Sequence, residues 1–188
     1  AVFSHCAVMA EDVAGSTALV NTTHSSLAWG DYDNDGDLDI LLAGNSTSTG
    51  PVTKIYRNDG GAFTESANLS GVQDGDAVWG DYDNDGDLDI ATVGSSFGTR
   101  IYRNDGGVFN QSANLPGLNS GDIDWGDYDN DGDLDLVFSG YYISSGLNPA
   151  TMLYRNDGGT FVQDTQADSV LVNVYNGTNV WGDYDNDG

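Results

Sequence analysis

The octapeptide Trp-Gly-Asp-Tyr-Asp-Asn-Asp-Gly occurs four times in 188 residues, beginning at Trp29, Trp79, Trp125 and Trp181. Successive copies are 50, 46 and 56 residues apart. A second element, Tyr-Arg-Asn-Asp-Gly-Gly-x-Phe, begins at Tyr56, Tyr102 and Tyr154 and alternates strictly with the first. Self-similarity at this period means that one supersecondary unit is copied in tandem, and that each unit buries its apolar face against its neighbours. The chain divides into repeats at 27–76, 77–122 and 123–178, with the start of a fourth at 179–188. Residues 1–26 lack the signature and are a candidate for the last strand of a preceding unit.

Each unit reads as four short strands. Leu27–Tyr32 leads into an aspartate-rich loop, and Leu38–Ala43 leads out as a nearly continuous apolar run, which suits a strand covered on both faces. Thr53–Arg57 and Ala62–Glu65 flank Asn58-Asp59-Gly60-Gly61, a tight-hairpin signal. No segment carries helical periodicity with caps. The expected fold is all-β, a β-propeller-type array of four-stranded antiparallel blades with three complete repeats and partial ends. Closed propellers have at least about four blades. Three arrangements therefore stay open: a piece of a longer chain, a sheet completed by neighbouring protomers, or an open array.

The chain holds 30 acidic and 5 basic residues, a formal charge of −25. Such a surface repels phosphate backbones, which excludes nucleic acid as a partner class. Four Trp, ten Tyr and six Phe supply core material that a disordered acidic chain lacks. No apolar run reaches the roughly 18 residues of a membrane helix. The N-terminus shows neither an initiator Met nor a charged stretch before an apolar one, so it reads as a mature or trimmed end. Cys6 is the sole cysteine, so no intramolecular disulfide forms, and a free packed thiol is expected.

Most of the acidity is concentrated. The loops hold 18 of the 30 acids, five in each complete loop and three in the last. In the first loop, Asp31, Asp33, Asp35 and Asp39 stand at positions 1, 3, 5 and 9, with Gly36 at the sharp turn. Four carboxylates plus the carbonyl of Asp37 at position 7 make a hard oxygen shell suited to Ca²⁺. Packing these charges together without a cation would be strongly unfavourable. The same pattern recurs at Asp81, Asp83, Asp85, Asp87 and Asp89, and at Asp127, Asp129, Asp131, Asp133 and Asp135. Three complete calcium sites are therefore expected. A fourth, with Asp183, Asp185 and Asp187, lacks its position-9 ligand within this chain. Leu42, Thr92 and Phe138 occupy position 12, where a helix–loop–helix calcium site carries an acid, and strands flank the loops.

On these motifs the chain resembles the FG-GAP-like (VCBS-type) repeats of bacterial extracellular proteins, which are related to the β-propeller of integrin α subunits. The resemblance rests on the Trp-Gly-Asp-Tyr-Asp-Asn-Asp-Gly-Asp-Leu-Asp loop with its apolar exit strand and on the Tyr-Arg-Asn-Asp-Gly-Gly-x-Phe hairpin, from residue 27 to 188. It implies a calcium-bearing propeller at the cell surface or outside the cell, its ions clipping the first two strands of each blade. It assigns the ligand role to the aspartates of each loop, with Asp37 acting through its carbonyl.

Enzymatic activity is not expected. Every close carboxylate pair lies inside a ligand loop, and His5 and His24 precede the repeats with no repeated neighbours. His24 reads as a surface or turn residue. A binding role is the expected one, with a protein or glycan as partner. The insertions between the two motifs vary in length and carry Phe97, Tyr141 and Tyr142, which either pack between blades or grip a ligand. The four motif Trp residues are expected in the core, and Arg57, Arg103 and Arg155 as structural cations beside aspartates. Sequons at Asn21, Asn45, Asn68, Asn110 and Asn176 are glycosylation candidates. They keep open a second reading, a self-assembling, glycosylated extracellular fibre or coat subunit, with a glycan-active enzyme ranked below both.

Overall fold

A computed structural model describes residues 18–95, 98–142 and 148–182. The elements run β1 (Thr22–Gly30), β2 (Asp39–Ser46), β3 (Gly50–Asp59), β4 (Ala62–Gly80), β5 (Asp89–Ser95) and β6 (Thr99–Asn104). They continue as β7 (Phe109–Leu115), β8 (Asn119–Gly126), β9 (Asp135–Tyr142), β10 (Asn148–Asp157), β11 (Thr160–Gln163) and α1 (Thr165–Asp168). All pairings are antiparallel, and the all-β reading holds. The described residues form two open sheets, one of seven strands in order β1 to β7 and one of four in order β11-β10-β9-β8.

The seven-stranded sheet is two units fused through β4. Residues 62–72 of β4 pair with β3, and residues 73–80 pair with β5. The expected end at Glu65 was therefore too early, because Leu69-Ser70-Gly71-Val72 lets the strand continue. The corresponding segment of the next unit is Leu115-Pro116-Gly117-Leu118, where β7 stops. Proline has no N–H to give a ladder, so β7 and β8 separate. The expected first strand is also shifted, from Leu27–Tyr32 to Thr22–Gly30, and Tyr32 lies in the loop. The hairpin signal forms the turn it predicts: Asp59 pairs with Ala62 around Gly60 and Gly61, with φ of 61° and 96°. One short helix was not expected. Asp164 caps α1 by accepting from Gln166 N and Ala167 N, an N-cap signal hidden among other acids.

The two larger core clusters lie between units. On one face of β2, Leu41 and Ala43 join Tyr32, Ile55, Val72, Ala77, Ile90 and Tyr102 of the first two units. On its other face, Ile40 and Leu42 pack with Tyr56, Leu27 and Phe63. A second inter-unit core gathers Ala91, Val93, Ile101, Leu118, Ile123, Trp125, Leu136 and Phe138. The apolar run of each second strand is thus buried on both faces, each such side chain contributing about 1.5–3 kcal/mol.

The motif Trp residues set the stacking. Trp79 lies parallel to Tyr32 of the preceding loop at 5.9 Å, and Trp125 repeats this on Tyr82 at 6.0 Å. Phe109 and Phe161 of the hairpins tilt against these pairs. A Cβ on Gly30 would sit 2.8 Å from both Trp79 and Leu88, so the Trp of one unit requires glycine in the unit before it. The core expectation holds for Trp125, which is 8% exposed, and fails for Trp29 at 49% and Trp181 at 36%. Trp29 meets Phe63 of its own hairpin, but no described residue supplies the stacking Tyr that covers Trp79.

Candidate metal centres

Each aspartate loop is held open by its own backbone. Asn34 and Gly36 take left-handed conformations, φ 58° and 95°, as do Asn84 and Gly86, and Asn130 and Gly132. Nothing lies within 4 Å of a Cβ built on Gly36, so glycine answers here to the backbone angle rather than to space. The turn directs two N–H groups at the first aspartate: Asp35 N and Gly36 N donate to the two oxygens of Asp31, each at 3.0 Å. Asp35 then accepts from Asp37 N at 2.9 Å. The second and third loops repeat these bonds.

The ninth position is the deepest. Asp39, Asp89 and Asp135 are wholly buried at the start of β2, β5 and β9. Asp39 accepts from Tyr32 N at 3.1 Å and from Asn58 N at 2.8 Å, so it ties loop to hairpin, and Asp89 and Asp135 do the same. Burial pushes all three carboxyls above the ordinary aspartate range, against the lowering effect of those N–H groups, and takes Asp89 to about 7. Asp33 and Asp83 are raised as well, first by desolvation and then by the neighbouring Asp35 and Asp85 carboxylates.

Three carboxylate groups converge. Oxygens of Asp31, Asp33 and Asp39 lie within 4.8 Å of one another, as do those of Asp81, Asp83 and Asp85, and those of Asp127, Asp129 and Asp135. Positions 1 and 3 enter every group, joined by position 9 in the first and third and by position 5 in the second. Position 7 does not enter: the carboxylate of Asp37 accepts from Gly60 N at 2.8 Å, Asp87 from Gly106 N at 3.3 Å and Asp133 from Gly158 N at 2.9 Å. Asp183, Asp185 and Asp187 lie outside the described residues, as do Cys6, His5 and Phe97.

A divalent cation fits this donor set. The buried Oδ1 atoms of Asp33 and Asp83 accept no hydrogen bond. A desolvated carboxylate oxygen without a donor is costly unless a cation faces it. Every converging atom is a carboxylate oxygen, and neither imidazole nor thiolate takes part, which suits a hard ion.

The three sites differ in their arginine. Arg57 and Arg155 pair with Asp59 and Asp157 of their own hairpins, at 2.6 and 2.8 Å. Arg103 pairs with Asp105 at 2.7 Å and also leans over the second loop, 3.3 Å from Asp83 and 3.8 Å from Asp85. The structural-cation reading of the three arginines holds, and among the described ion pairs only that of Arg103 reaches loop carboxylates.

Two recurrent asparagines do work that the sequence reading missed. Asn34 donates to Gly86 O and Asp87 Oδ1 of the next loop, and Asn84 to Gly132 O and Asp133 Oδ1. Asn104 of the second hairpin, wholly buried, donates to Tyr32 O in the first loop and to Leu88 O. Asn156 does likewise with Tyr82 O and Leu134 O. Their letter-for-letter recurrence was the available signal. It read as turn chemistry alone.

A profile of the FG-GAP-like repeat matches twice, over residues 31–92 and 81–138, and together the matches cover more than half of the chain. The chain belongs to the FG-GAP-like repeat family. Each match of this FG-GAP-like chain begins on an aspartate loop, at Asp31 and at Asp81. No curated protein matches it.

Proposed function

We propose that this FG-GAP-like chain is a calcium-binding, non-catalytic adhesive repeat protein, acting outside the cell or at its surface and gripping a protein or glycan partner. The observation that carries the calcium reading is the convergence of three carboxylates in each of three loops, with buried, donor-less oxygens on Asp33 and Asp83. The ligands would be the loop aspartates at positions 1, 3, 5 and 9. Position 7 offers its carbonyl, since its carboxylate serves the hairpin turn. A bound cation neutralises the buried carboxylates and so ties β1 to β2, β4 to β5 and β8 to β9. Three four-stranded units with cores between them support a propeller-type array as the scaffold. Extracellular modules bind calcium at roughly 10⁻⁴–10⁻³ M, which suits a millimolar environment. Among the described residues no helix is long and apolar enough to cross a membrane, which says nothing of strands.

The test is unfolding temperature and bound calcium measured together, in calcium and after chelation. A calcium-dependent rise, with stoichiometry reduced by one in Asp33→Ala or Asp83→Ala, supports the reading. Unchanged stoichiometry in both variants rejects the ligand assignment.

A second reading, self-assembly, is favoured by one observation. Trp29 and Leu38 are 49% and 54% exposed, whereas their counterparts Trp79 and Leu88 cover Gly30 of the unit before. An exposed face that elsewhere in the chain packs on another repeat favours association. Light scattering that grows with calcium and collapses in Trp29→Ser would support it over a monomeric adhesin.

A further inference from the structure

Five residues before each motif Trp, the backbone turns left-handed: φ is 49° at His24, 49° at Asp74, 48° at Ser120 and 51° at Asn176. The first three sit where β1, β4 and β8 slip register against their partners. These four positions converge on one cavity of about 570 Å³, to which the segment before the first repeat and each of the three repeats give one side chain. Asn176 N donates to Ser120 O at 3.2 Å, joining two of the lining positions directly. Gly75, Gly121 and Gly177 follow three of these residues and leave main chain at the cavity surface.

Left-handed φ favours glycine, then asparagine, aspartate and histidine, so of the four residues only Ser120 departs from the backbone preference. The four positions hold an imidazole, a carboxylate, a hydroxyl and a carboxamide, whereas the aspartate loops repeat the same residues. His24 Nδ1 stands 3.3 Å from Asp74 Oδ1, and among the described residues no Lys or Arg lines the cavity, where Asp74 is the one carboxylate. What the wall offers is directional donors and acceptors for neutral hydroxyl groups. An aromatic face is close by. Tyr175, 51% exposed, immediately precedes Asn176 and meets Tyr141 edge-on at 5.7 Å. Tyr141 is paired in register with Asn119, the residue before Ser120.

We propose that this cavity binds carbohydrate, with pyranose hydroxyls held by Asp74, Ser120 and Asn176. The assignment rests on the adhesive reading above and names its ligand class and its site. Glycine is the deletion to use, because it removes each side chain and keeps the left-handed backbone unstrained.

The chain, produced in a host without N-glycosylation so that Asn176 keeps a free amide, is applied in millimolar calcium to arrays of immobilised plant, animal and microbial oligosaccharides. In parallel it is applied to intact cells. The expected result is retention by at least one saccharide, weakened about tenfold or more in Asp74→Gly and Asn176→Gly, with calcium-dependent unfolding unchanged. Saccharide binding that survives in both variants overturns the cavity assignment and leaves adhesion standing. Retention on cells but on no saccharide overturns the carbohydrate assignment alone. Retention on neither removes the adhesive reading with it.

Discussion

Residues other than glycine take left-handed backbone at two places in every described repeat, and the two places use it differently. In the aspartate loops the residues are the same each time, Asn34, Asn84 and Asn130 followed two positions on by Gly36, Gly86 and Gly132. At the bulge tips they are His24, Asp74, Ser120 and Asn176. Asn34 and Asn84 perform one task in translation, each reaching the next loop, and one residue type serves both. The bulge tips meet at one cavity, where four copies of one residue would give a poorer set of donors and acceptors. Identity between repeats marks a job done once per unit. Difference marks a job done once per molecule.

The largest expected effect breaks the stacking half of this comparison. Trp125→Ala should cost about 3–5 kcal/mol, as a buried aromatic stacked on Tyr82 and Phe161. The same change at half-exposed Trp29 should cost about 1 kcal/mol. Denaturant midpoints in calcium measure both, and equal losses would contradict the difference in cover.

Removing calcium comes next. With millimolar ion and the weak affinity of extracellular modules, each filled site contributes about 1 kcal/mol, so chelation should lower stability by about three such increments. Arg103→Ala sharpens the comparison between loops. It should tighten calcium at the second site, because a guanidinium over Asp83 and Asp85 competes with the cation, while Arg57→Ala should change affinity less. Calcium titration of the two variants reads the difference.

In chelator, the pH profile should run opposite to that of an ordinary acidic protein. Asp33, Asp39, Asp83, Asp89 and Asp135 all have raised carboxyls, Asp89 to about 7. Outside the loops, burial first and then Asp76 take Asp122 to about 6, and Asp124 is also raised. Each group binds its proton more tightly when folded. Stability is therefore fully present below the unfolded aspartate value of about 4 and is lost as pH rises through the folded values, to about 7. Calcium should reverse the slope, since ligation needs ionised carboxylates. Urea midpoints at about pH 5 and about pH 8, with and without calcium, test the sign.

The smallest effect concerns the bulge tips. His24→Gly and Ser120→Gly should leave stability unchanged or raise it by up to about 1 kcal/mol, because they relieve left-handed strain. A loss of several kcal/mol would show these side chains to be structural rather than ligand-facing.

Much of this was legible from spacing. The alternation of two motifs announced strands, hairpins and loops, and the aspartates at positions 1, 3, 5 and 9 announced oxygen sites. Within the loops, the sequence did not tell the converging carboxylates from those facing the hairpin. That Asp39 lies wholly buried beneath Asn58 N while Asp37 turns to Gly60 depends on how loop and hairpin meet. The hairpin asparagines looked like turn residues because their targets, such as Tyr32 O for Asn104, lie 72 residues away.

The sequence by itself determined the repeat, its strands, its turns and the clustering of carboxylates in its loops, because each follows from residues within about a dozen positions of one another. Only the tertiary structure decided which Trp covers which Gly, how β4 serves two units, and that four bulge tips share a cavity. Those depend on one unit packing against the next. Contacts across whole repeats leave no local spacing to read.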